Sequence, residues 1–198
     1  KKGWFWCFQT PKATLIKFNK TKKKQELRVE IERLKKEEEG FQLSSASVIE
    51  NIKASAVWGN NEIKELMSVE KKQKLMEQRN LRVIGKFDQL LNDIQINKID
   101  DANQSIKKRI DEKIKLPLQE LNEKLIPIAL QKSLDARTIE KNNLKIDAIN
   151  ELLRVQGVIV LQYAEILKSM RKWEGYYETV GLLKDIIKNE VRLNLSLK

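Results

Sequence analysis

Apolar residues fall on alternating steps of three and four through the stretch 66–94. Leu66, Val69, Met76, Val83, Phe87, Leu90 and Ile94 follow this rhythm, with Gln73 and Asn80 in the two remaining slots. A seam of four heptads lines one side of a helix and requires a facing helix. The pattern predicts a main helix from about Asn61 to Ile99, and the seam alone spans on the order of 40 Å. Polar residues at seam positions fix register or partner at a cost in stability. They more often mark a place where the facing helix is absent and the face is wet.

A second seam lies toward the C-terminus. Ile146, Ile149, Leu153, Val160, Tyr163, Leu167 and Met170 carry it, with Gln156 in one slot. Trp173, Tyr176, Val180, Leu183 and Ile187 continue it after a change of phase of the kind that rewinds a coiled coil. This helix is expected to start between Asp135 and Ile139 and to end near Val191. Gly157, Gly175 and Gly181 lie inside it as points of close crossing or of flexibility.

Shorter patterns fill the rest. Leu27, Ile31 and Leu34 predict a helix over 22–39, ended by Gly40. Its charge order, lysines first and Glu37, Glu38 and Glu39 last, opposes the helix dipole and suggests that something else continues or holds it. A loop is expected over 41–47, and Ser47 with Glu50 makes a capping box for a helix from Val48. Trp58, Gly59, Asn60 and Asn61 predict a break. Asp100 and Asp101 offer a turn and an N-cap before Ile106, Ile110, Ile114, Leu118, Leu121, Leu125 and Ile128. Pro117 keeps the phase of that pattern and predicts a kink. Pro127 loses it and predicts a break before Leu134.

The expected fold is therefore all-α: an elongated antiparallel bundle or coiled coil of four to six helices, two of them long. Seven glycines and three prolines in 198 residues agree with long helices. The seams hold more apolar surface than one hairpin can hide, so the chain is expected to fold back compactly or to form homo-oligomers.

Charge divides the chain at residue 24. The net charge is +11, but residues 1–24 hold eight lysines and no acid, while 25–198 are nearly balanced. Two parts follow: a basic-aromatic arm over 1–24 and a helical body over 25–198. In the arm Trp4, Phe5, Trp6 and Phe8 precede Lys12, Lys17, Lys20, Lys22, Lys23 and Lys24. A β-hairpin turning at Thr10, Pro11 and Lys12 fits its aromatic and β-branched residues. The arm has three readings. Its aromatics close one end of the bundle while its lysines are solvated. It lies on an anionic membrane surface, where each Lys contributes about 1 kcal/mol. Or it stacks on unpaired bases, which the absence of Arg disfavours.

The chemistry is sparse. There is no histidine, which removes Ser-His-Asp, Cys-His and His-ligated metal arrangements. No glycine spacing builds a phosphate loop. Nearly all helical carboxylates have Lys or Arg three or four residues away and read as surface pairs. No catalytic residue, metal or cofactor is expected. Cys7, the single cysteine, excludes an intrachain disulfide. The longest central uncharged run, Val155 to Ala164, is ten residues, half of what a bilayer span needs. The chain opens on Lys1, so it is expected to be a fragment or a processed product. The group Tyr163, Trp173, Tyr176 and Tyr177 is a core segment or, if partly exposed, a partner patch.

These observations favour a non-enzymatic scaffold or adaptor. Its helix faces would bind another protein or a second copy, and the arm would place it at the cytoplasmic face of a membrane. A nucleic-acid-associated protein using the arm and a pore-forming helical toxin component are the alternatives. The toxin would need a concealed apolar hairpin, for which the Val155–Ala164 run is too short.

Overall fold

The computed structural model describes the backbone of residues 11–55, 59–96, 105–139 and 141–196. It describes side chains over 23–54, 59–96, 105–139, 141 and 143–173. All the elements in these residues are helical and form four rods packed around one apolar core. The first rod is α1 (Pro11–Ser55) and the second α2 (Asn60–Ile96). The third joins α3 (Ser105–Ile110), α4 (Leu116–Glu120) and α5 (Ile126–Thr138) through two five-residue π turns. The fourth is α6 (Asn142–Ser196). α1 packs against α2 and α6, and the third rod packs against α2 and α6 in turn.

α1 runs for 45 residues through three places where the sequence suggests something else. The arm's second half is helical, so the hairpin's second strand does not form; its first strand, before Pro11, lies outside the described residues. Proline suits the first turn of a helix, where its missing N–H costs nothing. Gly40 does not end the helix, and 41–47 is not a loop. The buried stripe Leu27, Ile31, Leu34, Glu38, Phe41, Ser45, Val48 and Ile52 keeps its heptad phase across the glycine. Tertiary packing along such a stripe outweighs the roughly 1 kcal/mol that glycine costs. The dipole-opposing charge order of 22–39 has its explanation in this continuity, because neither end of that stretch is a helix end.

The break before α2 forms as the sequence predicts. Gly59 stands at the N-cap, and its N–H donates to Glu62 Oε2 at 2.9 Å. This is the returning half of a capping box, and Gly59 O accepts the first helical bond from Ile63. Leu66, Val69, Met76, Val83, Phe87, Leu90 and Ile94 are all buried. The Asp100–Asp101 turn lies outside the described residues.

The third rod departs most from expectation. Neither proline breaks it. The turn before each one widens, so that Leu116 N–H reaches Asp111 O and Ile126 N–H reaches Leu121 O, five residues back. A proline ring collides with the carbonyl four residues before it and supplies no donor. Widening the preceding turn relieves both problems and makes the proline part of a fresh first turn. The extra residue moves the buried stripe from Leu121 to Ile126, Ala129, Ser133 and Ala136. Leu125 is half-buried and Ile128 exposed for that reason. The chain breaks at Ile139, not before Leu134, where the backbone turns extended and Thr138 Oγ1 donates to the Leu134 and Asp135 carbonyls.

α6 buries a stripe centred differently from the predicted seam: Ile149, Leu152, Gln156, Ile159, Tyr163, Ile166, Met170 and Trp173. These are unbroken heptads, so the change of phase before Trp173 is not present. Ile146, Leu153 and Val160 are half-buried at the edge, since α6 covers two neighbours and needs a wide face. Gly157 marks the approach to α1. A Cβ there would sit 3.2 Å from Gln42 Nε2, which donates to Leu153 O.

Candidate functional site

Antiparallel register between α1 and α2 is set by ion pairs every seventh residue. Lys23 meets Asp93 at 3.0 Å, Glu30 meets Lys86 at 2.5 Å, and Glu37 meets Arg79 at 2.6 Å. Arg79 Nη1 donates to both Glu37 oxygens. The third rod is tied to α2 by Lys115–Asp88 and Arg137–Glu70. With these contacts fixing heights, the polar seam residues of the four rods fall at the middle of the bundle, with Leu27 and Ile31 on one side and Val48 and Ile52 on the other.

This layer has two halves. Between α2 and the third rod, Asn80 Nδ2 donates to Leu118 O at 2.9 Å and to Asn122 Oδ1 at 3.4 Å. Leu118 precedes the second π turn, and Leu121 N–H also points at its carbonyl. The amide of Asn80 thus adds a second donor to a backbone carbonyl beside the widened turn. Between α1, α2 and α6, Gln73 Nε2 donates to Glu38 Oε1 at 3.1 Å. Glu38, Gln73, Gln156, Tyr163 and Ser45 are each 0% exposed. Glu38 Oε2, Gln73 Oε1, Tyr163 Oη, Ser45 Oγ and both amide atoms of Gln156 have no hydrogen-bond partner among the described residues.

Burial pushes the Glu38 carboxyl up to about 8, with the Gln73 hydrogen bond pulling the other way. Burial also drives the Tyr163 phenol far above its ordinary value, and the carboxyls of Glu38 and Glu37 add to that. At neutral pH the layer therefore holds an uncharged acid and an uncharged phenol. It can exchange a proton but offers no charged nucleophile. Among the described residues no cluster of three or more His, Cys, Asp or Glu residues is placed to hold a metal ion. Among them no helix is long and apolar enough to cross a membrane.

The predicted site residues separate. The α2 face finds its facing helices within the chain. Gln73 and Asn80 are buried and bonded rather than wet. Tyr163 and Trp173 are core residues, and Tyr176 and Tyr177 lie on the later turns of α6, where side chains are not described. In the arm, Trp4, Phe5, Trp6 and Phe8 lie outside the described residues. Lys12, Lys17, Lys20 and Lys22 are carried on the first turns of α1. Lys23 is paired with Asp93, and Lys24 Nζ lies 4.3 Å from the centroid of the Trp173 ring.

Glu38 was hidden by its neighbours. Within Glu37, Glu38 and Glu39 it reads as one more surface acid, whereas its heptad position between Leu34 and Phe41 marks it as a core residue. The same spacing marks Ser45 on α1. Gln156 is already in a slot of the predicted α6 seam. The chain matches no family model, no curated protein and no solved structure.

Proposed function

We propose that this chain is a non-enzymatic helical scaffold or adaptor, placed at an anionic membrane surface by its lysine-rich N-terminal segment. The observation that carries the reading is the continuity of α1. Lys12, Lys17, Lys20 and Lys22 belong to the same helix that forms one wall of the bundle. A surface contact made there is transmitted by helix rather than by a loose tether. Lys23 and Lys24 already grip α2 and α6, so the lysines before them supply the contact with lipid.

Coiled-coil packing is the finer description of the bundle that we favour. Unbroken heptads on α1, α2 and α6 and the seven-residue ladder of ion pairs support it. Because the main seam is covered within the chain, partners would meet the outer faces, where Leu43, Leu81 and Leu161 are more than half exposed.

Co-sedimentation of the full chain, and of a chain lacking residues 1–10 with Lys12, Lys17, Lys20 and Lys22 changed to Gln, tests the reading. Only the full chain should pellet with anionic vesicles, and neither with neutral ones. Equal pelleting of both chains, or none with anionic lipid, overturns it. Salt-sensitive binding of the full chain to single-stranded DNA without lipid binding would replace it with the nucleic-acid reading.

A further inference from the structure

Among the described residues no cation reaches the carboxyl of Glu38 in its half-layer. α1 packs on α2 and α6, on which Lys71, Lys72, Lys74 and Lys168 are exposed, Glu70 is held by Arg137 and Glu77 is half-buried. On α2, Arg79 is held by Glu37. On α6, the phenol of Tyr163 faces inward, while Arg154 and Glu165 lie on the exposed face, each paired within its own helix to Glu151 and Lys168. On α1 itself, Glu37 and Glu39 are bound to Arg79 and Lys35. Glu38 is left with one neutral donor, Gln73, and one oxygen without a partner. A carboxylate in such a place is costly, whereas a carboxylic acid is tolerated.

We propose that the Glu38 layer is a proton-controlled latch. While Glu38 is a neutral acid, α1 closes on α2 and α6 at mid-bundle; once it loses its proton, these three helices part at this height and admit water. The sites around it suit hydration in the open state. Tyr163 Oη, Gln156, Gln73 Oε1 and Ser45 Oγ are buried groups able to bond water. The two ends of the bundle, held by apolar layers, stay closed. The trigger is alkaline: acidification keeps Glu38 neutral and the latch shut. The latch does not depend on the membrane reading.

Amide hydrogen exchange of the full chain at pH 6 and pH 9, corrected for intrinsic rates, tests this. In the wild type, protection over residues 34–45, 71–80 and 156–165 should fall about tenfold or more at pH 9. Residues 27–33 and 86–94 should keep theirs. Glu38→Gln should abolish the alkaline loss, and Tyr163→Phe should retain it. If Glu38→Gln does not fold, as judged by circular dichroism, Glu38→Met serves as the uncharged variant. Equal protection of the wild type at both pH values overturns the proposal. So does an alkaline loss that survives in the uncharged variant.

Discussion

Gln73 and Asn80 stand one heptad apart on the same face of α2, both fully buried, and they do different things. Asn80 binds a backbone carbonyl and another amide, neither of which carries a titratable proton. Gln73 binds a carboxyl whose proton is exchangeable near neutrality. The difference comes from the facing rods. The third rod offers the Leu118 carbonyl and the Asn122 amide beside its second widened turn. α1 offers Glu38 because the heptad phase points that residue inward. Polar seam residues of similar chemistry therefore give a pH-independent clip on one side of α2 and a pH-dependent contact on the other.

The largest way to sharpen this contrast is pH. Glu38 has a native value of about 8, above the ordinary 4.5, so the folded chain binds more protons than the unfolded chain between these values. Stability must then fall as pH rises through that window and level off above it. The loss is on the order of 5 kcal/mol. Urea unfolding should show it as a gap between wild type and Glu38→Gln that closes near pH 4.5 and is widest at pH 8. A constant gap would break the contrast.

Next in size is Asn80→Leu. It removes the donor to the Asn122 oxygen and the second donor to the Leu118 carbonyl, at roughly 1–3 kcal/mol. The loss should be the same at pH 5 and pH 8, whereas Gln73→Leu should cost more at pH 8. Gly40→Ala should stabilise by about 0.5–1 kcal/mol in thermal unfolding, because the position is exposed and helical and a Cβ meets nothing within 4 Å. Arg79→Ala should cost about 0.2–1 kcal/mol, a loss that fades in high salt, since the pair with Glu37 is part-exposed.

The legibility of the sequence follows the regularity of the backbone. On α2 the seam was readable to the residue, because apolar side chains fill all but two of its slots and no proline interrupts the heptads. On α1 the same rhythm was present, but Gly40 and the run Glu37–Glu39 masked it. On the third rod the pattern was readable as far as Leu121. Beyond that, a widened turn adds a residue that spacing rules do not anticipate. On α6 the seam was placed partly off-centre, because a helix covering two neighbours buries nearly half its circumference. Of the candidate site, Gln73, Asn80 and Gln156 were visible as polar slots. Their partners Glu38 and Asn122 belong to other rods and emerge only when the rods are set side by side.

The closure of these contacts within a single chain is tested most directly by zero-length carbodiimide cross-linking followed by peptide mapping of the monomer band. Lys23–Asp93, Lys86–Glu30 and Lys115–Asp88 lie within ion-pair distance and should be joined there. Finding these links only in dimers, or finding Lys86 joined to acids of α1 outside this register, would contradict a bundle closed within one chain.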